Sequence, residues 1–159
     1  MQHFVQMNSM LNATQIVTNE LRPIDIRTDL RPAPETILVV EDEAFVREAT
    51  CDILESEGYR VLRARNATEA QTAFRQNHGS VQLLLSDVVL PGQNGPALAK
   101  DLQEAHQALP AIFISGWPEA TVTRYGLAAG QMLPKPFSAE SLLHRVKQAL
   151  QSKEARISG

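Results

Sequence analysis

The sequence predicts one α/β domain, a five-stranded parallel sheet with helices on both faces. Three observations carry that prediction. Between residues 35 and 151, short apolar runs alternate with stretches of helical period, five times over. The apolar runs are continuous rather than alternating, as in strands buried on both faces. Successive runs are separated by enough chain for a helical crossover, which makes neighbouring strands parallel and the connections right-handed.

The elements follow in order. Thr36-Ile37-Leu38-Val39-Val40 is a β-branched run that reads as the first strand. A helix is expected over 44–57, with Val46, Ala49, Ile53 and Leu54 inward and Gly58 ending it. Tyr59-Arg60-Val61-Leu62 is the second strand, and Asn66-Ala67-Thr68-Glu69 reads as a capping box opening a helix that runs to about residue 77. Val81-Gln82-Leu83-Leu84-Leu85-Ser86 is the third strand, followed by a loop from Asp87 to Gly95. Pro96 suits a first helical position, and its helix is expected to end near His106. Ala111-Ile112-Phe113-Ile114 is the fourth strand, 119–128 a short fourth helix, and Met132-Leu133 a brief fifth strand. Ser138 caps a last helix with Leu142, Leu143, Val146 and Leu150 on one face.

The flanks read differently. Residues 1–34 are rich in Asn, Gln and Thr and end in Arg31-Pro32-Ala33-Pro34, whose prolines favour an extended linker. They are expected to be a disordered or partly helical tail, although Phe4, Met7, Leu11 and Leu21 also fit a weak amphipathic stripe for a partner. The domain is expected over 35–152 and a C-terminal tail over 153–159. So little chain after the last helix leads to the expectation that no DNA-binding or enzymatic effector is present.

Composition narrows the function. The chain of 159 residues suits one domain with tails, and its 43% hydrophobic and 21% charged content is that of an ordinary globular protein. A net charge of −3 argues against a dominant nucleic-acid surface. Cys51, the single cysteine, has no partner for an internal disulfide and suits a reducing compartment. No apolar run reaches the roughly 18 residues of a membrane span, and no signal-peptide core is evident. The expected location is the cytoplasm.

Chemistry concentrates where such sheets place their ligands, at the carboxyl ends of the strands. The first strand ends in Glu41-Asp42-Glu43, the third at Asp87 and the fourth at Ser115, while Lys135-Pro136 follows the fifth. Singly these are ordinary: acids beside a helix dipole, a turn Asp, a capping Ser, a solvated Lys. Together they fall on one sheet edge, where clustered carboxylates repel one another unless a cation sits among them. Hard oxygen ligands with room for water suit Mg2+, Lys135 offers a positive charge to a phosphate oxygen, and Ser115 a hydroxyl donor. The set fits a carboxylate nucleophile for phosphoryl transfer.

At these residues a family resemblance becomes specific. The run Ile37 to Glu43, the segment Leu85-Ser86-Asp87-Val88-Val89-Leu90-Pro91-Gly92 with Gly95, the triplet Ile114-Ser115-Gly116 and Lys135-Pro136-Phe137 resemble the receiver domain of two-component response regulators. The loop Ser115-Gly116-Trp117-Pro118-Glu119 is similar to receivers attached to hybrid kinases. The resemblance covers about residues 35–151 and implies a flavodoxin-like sheet of strand order 2-1-3-4-5. It implies that Asp87 is the phosphoacceptor. Asp42 and Asp87 would ligate Mg2+ directly, with the Val89 carbonyl as a third ligand and Glu41 acting through water. It further implies that Ser115 is a switch hydroxyl, that Lys135 contacts the phosphoryl oxygens and that the Lys135–Pro136 bond is cis. The partners implied are a histidine kinase or histidine phosphotransfer protein and an unidentified output protein, with homodimerisation left open. The chain would be a switch that accepts and loses a phosphoryl group rather than a turnover enzyme. A phosphate sink or relay without its own output is the nearest alternative.

Three departures matter. Glu41 stands where Asp is commoner, and Ser115 where Thr is frequent. Met132 occupies the place where many members carry an aromatic switch, so that rotamer flip does not carry over; a flexible Met can repack instead. Phe45 fits either the core or a docking contact for the phosphodonor, Trp117 either a shield over the site or packing under its loop, and Trp117 and Met132 are further docking positions. The four histidines are scattered and support neither a metal site nor a phosphohistidine. Among unrelated classes, a haloacid-dehalogenase-type phosphatase also combines Asp, Ser, Lys and Mg2+. It wants Asp-x-Asp after the first strand, however, whereas this chain has Glu41-Asp42-Glu43 there and Asp87 on the third. A flavin binder needs neutral donors after the first strand, where this loop is acidic.

Overall fold

The computed structural model of the chain describes residues 32–77, 79–117 and 123–157. The expected tail over 1–31 with its apolar stripe, His78 and the Pro118-Glu119 part of the fourth loop lie outside these residues. The described elements are β1 (Thr36–Val40), α1 (Ala44–Ser56), β2 (Arg60–Ala64), α2 (Ala67–Gln76), β3 (Val81–Asp87), α3 (Gly95–Ala105), β4 (Ala111–Ser115), β5 (Met132–Pro134) and α4 (Ala139–Ile157). Every strand pair is parallel. The order is β2-β1-β3-β4-β5, as the resemblance implies.

The uninterrupted apolar strands are explained by two cores, one on each face. Leu38, Val40, Leu84 and Phe113 point to the side that holds Phe74 of α2 and Leu98 and Leu102 of α3. Their neighbours Ile37, Val39, Leu83, Leu85, Ile112 and Ile114 point to the other side, against Cys51 and Leu54 of α1 and Leu142, Val146 and Leu150 of α4. Alternating side chains therefore both find apolar surroundings, which is why Ile37–Val40, Leu83–Leu85 and Ala111–Ile114 are uninterrupted apolar runs. β2 is an edge strand, and its exposed Arg63 forms ion pairs with Glu55 (2.8 Å) and Glu48 (3.2 Å) of α1.

Helix ends obey local chemistry. Gly58, at φ +98, leaves α1 through the left-handed region, and its N–H donates to the Glu55 carbonyl at 3.0 Å. Asn66 caps α2 by accepting from Glu69 N–H at 2.9 Å. The reciprocal arm of the expected capping box differs: the Glu69 carboxylate accepts from the N–H of Arg65, one residue further out, at 2.9 Å, while also pairing with the Arg65 guanidinium. Asn94 caps α3 by accepting from Ala97 N–H at 2.8 Å, with Pro96 in the first turn where no donor is lost. Ser138 Oγ accepts from Ser141 N–H at 3.1 Å and opens α4.

Two expectations are corrected. Over 123–128 the expected fourth helix is not α-helical: the chain makes a 3-10 turn at Thr123–Tyr125, then Gly126 at φ +68 turns it away, and a second 3-10 turn spans Ala129–Gln131. Glycine's freedom at positive φ outweighs the helical propensity of the surrounding alanines. At the other end, α4 continues through Ile157, so the expected start of the tail at residue 153 falls inside a helix.

Because Leu84 is fully buried on the central strand, Leu84→Ala is expected to cost about 2–5 kcal/mol. Asn66→Ala removes only a cap and should cost about 1 kcal/mol. Urea unfolding of both variants checks that order; a cap loss as large as the core loss would contradict it.

Candidate functional site

Strand register brings the polar residues to one edge. β1 pairs Val40 with Ser86 of β3, β3 pairs Asp87 with Ile114 of β4, and β4 pairs Ser115 with Pro134 of β5. One step beyond those pairs stand Glu41 and Lys135. The Glu41 N–H donates to the Ala64 carbonyl at 3.1 Å and the Lys135 N–H to the Ser115 carbonyl at 2.8 Å, so both leave the sheet in fixed directions. β3 runs one residue longer than its apolar pattern and carries Asp87 within the strand itself.

The charged groups converge. Lys135 Nζ donates to Asp87 Oδ2 at 2.8 Å and to Glu41 Oε2 at 2.9 Å. Asp87 Oδ1 accepts from Val89 N–H at 2.8 Å, and Glu41 Oε1 from Glu43 N–H at 3.1 Å. Glu41, Asp42 and Asp87 each present a carboxylate oxygen within 4.8 Å of the others. Glu41 is 2% and Asp87 9% exposed, whereas Asp42 stands in solvent. The turn after β3 depends on Gly95: its N–H donates to the Val88 carbonyl at 2.9 Å, and a Cβ there would overlap the Asp87 carbonyl oxygen. Any side chain at this position displaces the backbone that aims Asp87.

Burial and charge pull against each other here. Burial raises the Glu41 pKa by penalising its charged form, and the bond from Lys135 only partly offsets this. Burial also works against the charge on Lys135. Its bonds to Asp87 and Glu41 outweigh that penalty, so its pKa is raised and it stays an ammonium. Lys135 is the internal counter-cation of the acidic cluster.

The remaining predicted residues are placed as follows. Ser115 is buried, and its Oγ accepts from Trp117 N–H at 3.0 Å, which leaves the hydroxyl proton free for an acceptor in the pocket. The Lys135–Pro136 bond is cis. Phe45 is 83% exposed at the start of α1, which removes the core alternative for it. Trp117 is 49% exposed, so it is not buried beneath its loop. Met132 is corrected as a docking position: it is 8% exposed, pairs with Phe113 in the sheet and belongs to the core beside α3. One contributor escaped the sequence: Arg47, whose Nη1 donates to the Glu41 carbonyl at 2.9 Å. Its place one turn into α1, on the side of the acidic loop, was the signal available.

The donor set fits a hard divalent cation. All three groups are carboxylates, with no thiol or imidazole, and Asp42 keeps an open side for water, which is the coordination that Mg2+ prefers. The arrangement does not match the dehalogenase-type phosphatase, because the buried acid bonded to Lys135 beside Glu41 is on β3, the middle strand.

The fold and this acid–lysine edge define a receiver domain. The family profile for the response regulator receiver domain matches residues 37–147, and the chain belongs to that family. Among its relatives, the sensor kinase CckA of Brucella abortus is 36% identical over 135 residues, which are 84% of this chain and 14% of that kinase. The phosphate regulon transcriptional regulatory protein PhoB of Pseudomonas aeruginosa is 35% identical over 120 residues, covering 73% of this chain and 52% of that regulator. Among solved structures, the receiver domain of the hybrid histidine kinase CckA superposes with a TM-score of 0.62 at 40% identity, covering 73% of this chain and 99% of that one. A CheY-like receiver from Methanospirillum hungatei gives a TM-score of 0.68 at 27% identity, over 77% of this chain and 98% of that one. Among the described residues no helix is long and apolar enough to cross a membrane.

Removing the counter-cation has a pH signature. With Lys135→Met, Glu41 and Asp87 face each other uncompensated, and stability should fall by about 1–3 kcal/mol at pH 7. The raised pKa of Glu41 sets the sign: its ionised form costs stability as pH rises from the unfolded value of 4.5 through the raised folded one. The variant's deficit should therefore shrink toward pH 4, where Glu41 protonates, in urea unfolding at the two pH values. An equal deficit at both would show that Lys135 contributes by packing alone.

Proposed function

We propose that the chain is a phosphoacceptor receiver in a two-component phosphorelay, with Asp87 as the acceptor. The observation that carries this is the bridge from Lys135 Nζ to both Asp87 and Glu41 on an edge that also presents Asp42. An Asp87 carboxylate oxygen attacks the phosphorus of a phosphohistidine on a histidine kinase or histidine phosphotransfer protein. The new P–O bond forms as the N–P bond breaks, and the imidazole departs and takes up a proton. Asp42, Asp87 and the Val89 carbonyl would hold Mg2+, with Glu41 acting through water. When bound, the ion neutralises charge on the transferring phosphoryl oxygens. Water later hydrolyses the acyl phosphate and restores the carboxylate, so the chain is a switch and not a turnover enzyme.

The switch follows from which groups the new charge of roughly −1.5 to −2 draws in. Lys135 moves its bonds from carboxylate to phosphoryl oxygens, and Ser115 turns its free hydroxyl proton toward them. The Lys135 N–H and the Ser115 carbonyl are bonded to each other, so the loops after β4 and β5 shift together. That shift moves a pre-existing equilibrium between two states and changes binding of an output protein. The likeness to hybrid-kinase receivers supports a place beside, or within, a sensor kinase in the cytoplasm.

Phe45, exposed beside the acidic loop, is assigned to docking of the phosphodonor. Asp87→Asn should abolish Mg2+-dependent labelling by a small phosphodonor such as acetyl phosphate; persistent labelling would defeat the assignment of Asp87. Phe45→Ala should leave labelling by acetyl phosphate unchanged and slow transfer from a phosphorylated histidine phosphotransfer domain about tenfold, as befits loss of an aromatic anchor that docking would cover. Equal slowing with both donors would place Phe45 in the pocket's structure instead.

A further inference from the structure

We propose that Arg47 is a positioning residue for Asp42, and so for the divalent-ion site on which the function proposed above relies. Asp42 is exposed and, among the described residues, accepts no hydrogen bond. Nothing attached to its own carboxylate fixes where it points, so its aim is inherited from the main chain on either side. Arg47 touches both sides. Its guanidinium Nη1 donates to the carbonyl of Glu41 at 2.9 Å, and its main-chain N–H donates to the carbonyl of Glu43 at 2.9 Å. The bond that belongs to its side chain is the one to Glu41; the other is the first-turn bond of the helix backbone, which any residue but proline makes. The two bonds bracket Asp42 from one residue on the first turn of α1. Glu41 is in turn tied to β2 through Ala64, so the bracket is anchored to the sheet.

The guanidinium itself is held. Its side chain is only 11% exposed, and Nε lies 3.4 Å from Glu48. A planar fork that reaches a carbonyl with one nitrogen and a carboxylate with another is a geometry lysine does not reproduce.

Charge and position act in opposite directions at Arg47, which makes the inference decidable. A cation this close to an acidic pocket repels a divalent ion, so removing its charge alone tightens Mg2+ binding. Losing the guanidinium bond frees the Glu41 side of Asp42, which loosens its aim and weakens binding. Residues that hold metal ligands in place typically contribute tenfold or more to affinity, and near the surface that exceeds the screened repulsion of one neighbouring charge.

The test is Mg2+ titration of the full chain by calorimetry and by fluorescence of Trp117, its single tryptophan, alongside thermal unfolding in EDTA. Arg47→Met is expected to bind Mg2+ about tenfold more weakly while unfolding cooperatively. Arg47→Lys, which keeps the charge and loses the fork, should also bind more weakly than the wild type. Wild-type or tighter affinity in Arg47→Met overturns the inference, as does a melting temperature that falls while affinity holds. If Arg47→Met does not fold, unchanged affinity in Arg47→Lys overturns it in the same way. A wild-type chain that binds no Mg2+ fails differently, because then the metal site proposed above is at fault.

Discussion

The structure turns on keeping negative charges together at the edge of a sheet. Glu41 and Asp87 are buried side by side, Asp42 adds a third oxygen within reach, and one ammonium holds the first two. Two carboxylates this close repel strongly at low dielectric, and burial raises the cost of each. Lys135 answers that cost from within the chain. A site built this way holds more carboxylate charge than its one ammonium balances, and in the proposed cycle a cation makes up the difference before a phosphoryl group arrives.

Such an edge needs a rigid scaffold, and the two apolar cores supply it. The strands that carry Asp87 and Ser115 and precede Glu41 are central, with apolar side chains sealed on both faces by α1 and α4 on one side and α2 and α3 on the other. Register then does the positioning: because β1, β3, β4 and β5 are parallel, their carboxyl ends arrive together and residues distant in sequence become neighbours. Gly95 shows how tight the fit is, since even a methyl group there would strike the carbonyl of Asp87. The core contributes stability, and the register converts it into placement.

Much of this was legible in the sequence because the relevant signals are local or periodic. Continuous apolar runs such as Leu83-Leu84-Leu85 announce a doubly covered strand, and Asn66, Asn94, Ser138 and Gly58 mark helix ends whose chemistry acts over a few residues. The convergence of Asp87 and Lys135 followed from topology once the strands were counted. What was not legible depends on contacts without a pattern. Nothing in the local sequence of Glu69 says that its carboxylate reaches Arg65 rather than Asn66. A helix is expected from sequence over 119–128, yet over 123–128 Gly126 at positive φ and a short 3-10 turn replace it. Arg47 resembles any solvated helix cation until its bond to the Glu41 carbonyl is seen. Met132 reads from sequence as a docking position, and its pairing with Phe113 buries it instead.

The burial of Met132 bears on how a signal would leave the site. With a buried thioether in place of the aromatic that the family resemblance implies, a large rotamer swing on β5 has no side chain to perform it. The connection present instead is short and made of backbone: Lys135 N–H to Ser115 carbonyl at 2.8 Å, with Ser115 Oγ bonded to Trp117 N–H at 3.0 Å. In the proposed cycle, drawing Ser115 and Lys135 toward one new anion strains or releases those two bonds at once. The loop carrying the half-exposed Trp117 is then the part of the surface best coupled to Asp87. Conversion of a charge change into a surface change here requires only that a hydroxyl stop accepting from one loop N–H, a bond worth about 0.5–1.5 kcal/mol. An energy of that size shifts a two-state population severalfold while leaving the cores, and hence the fold, untouched.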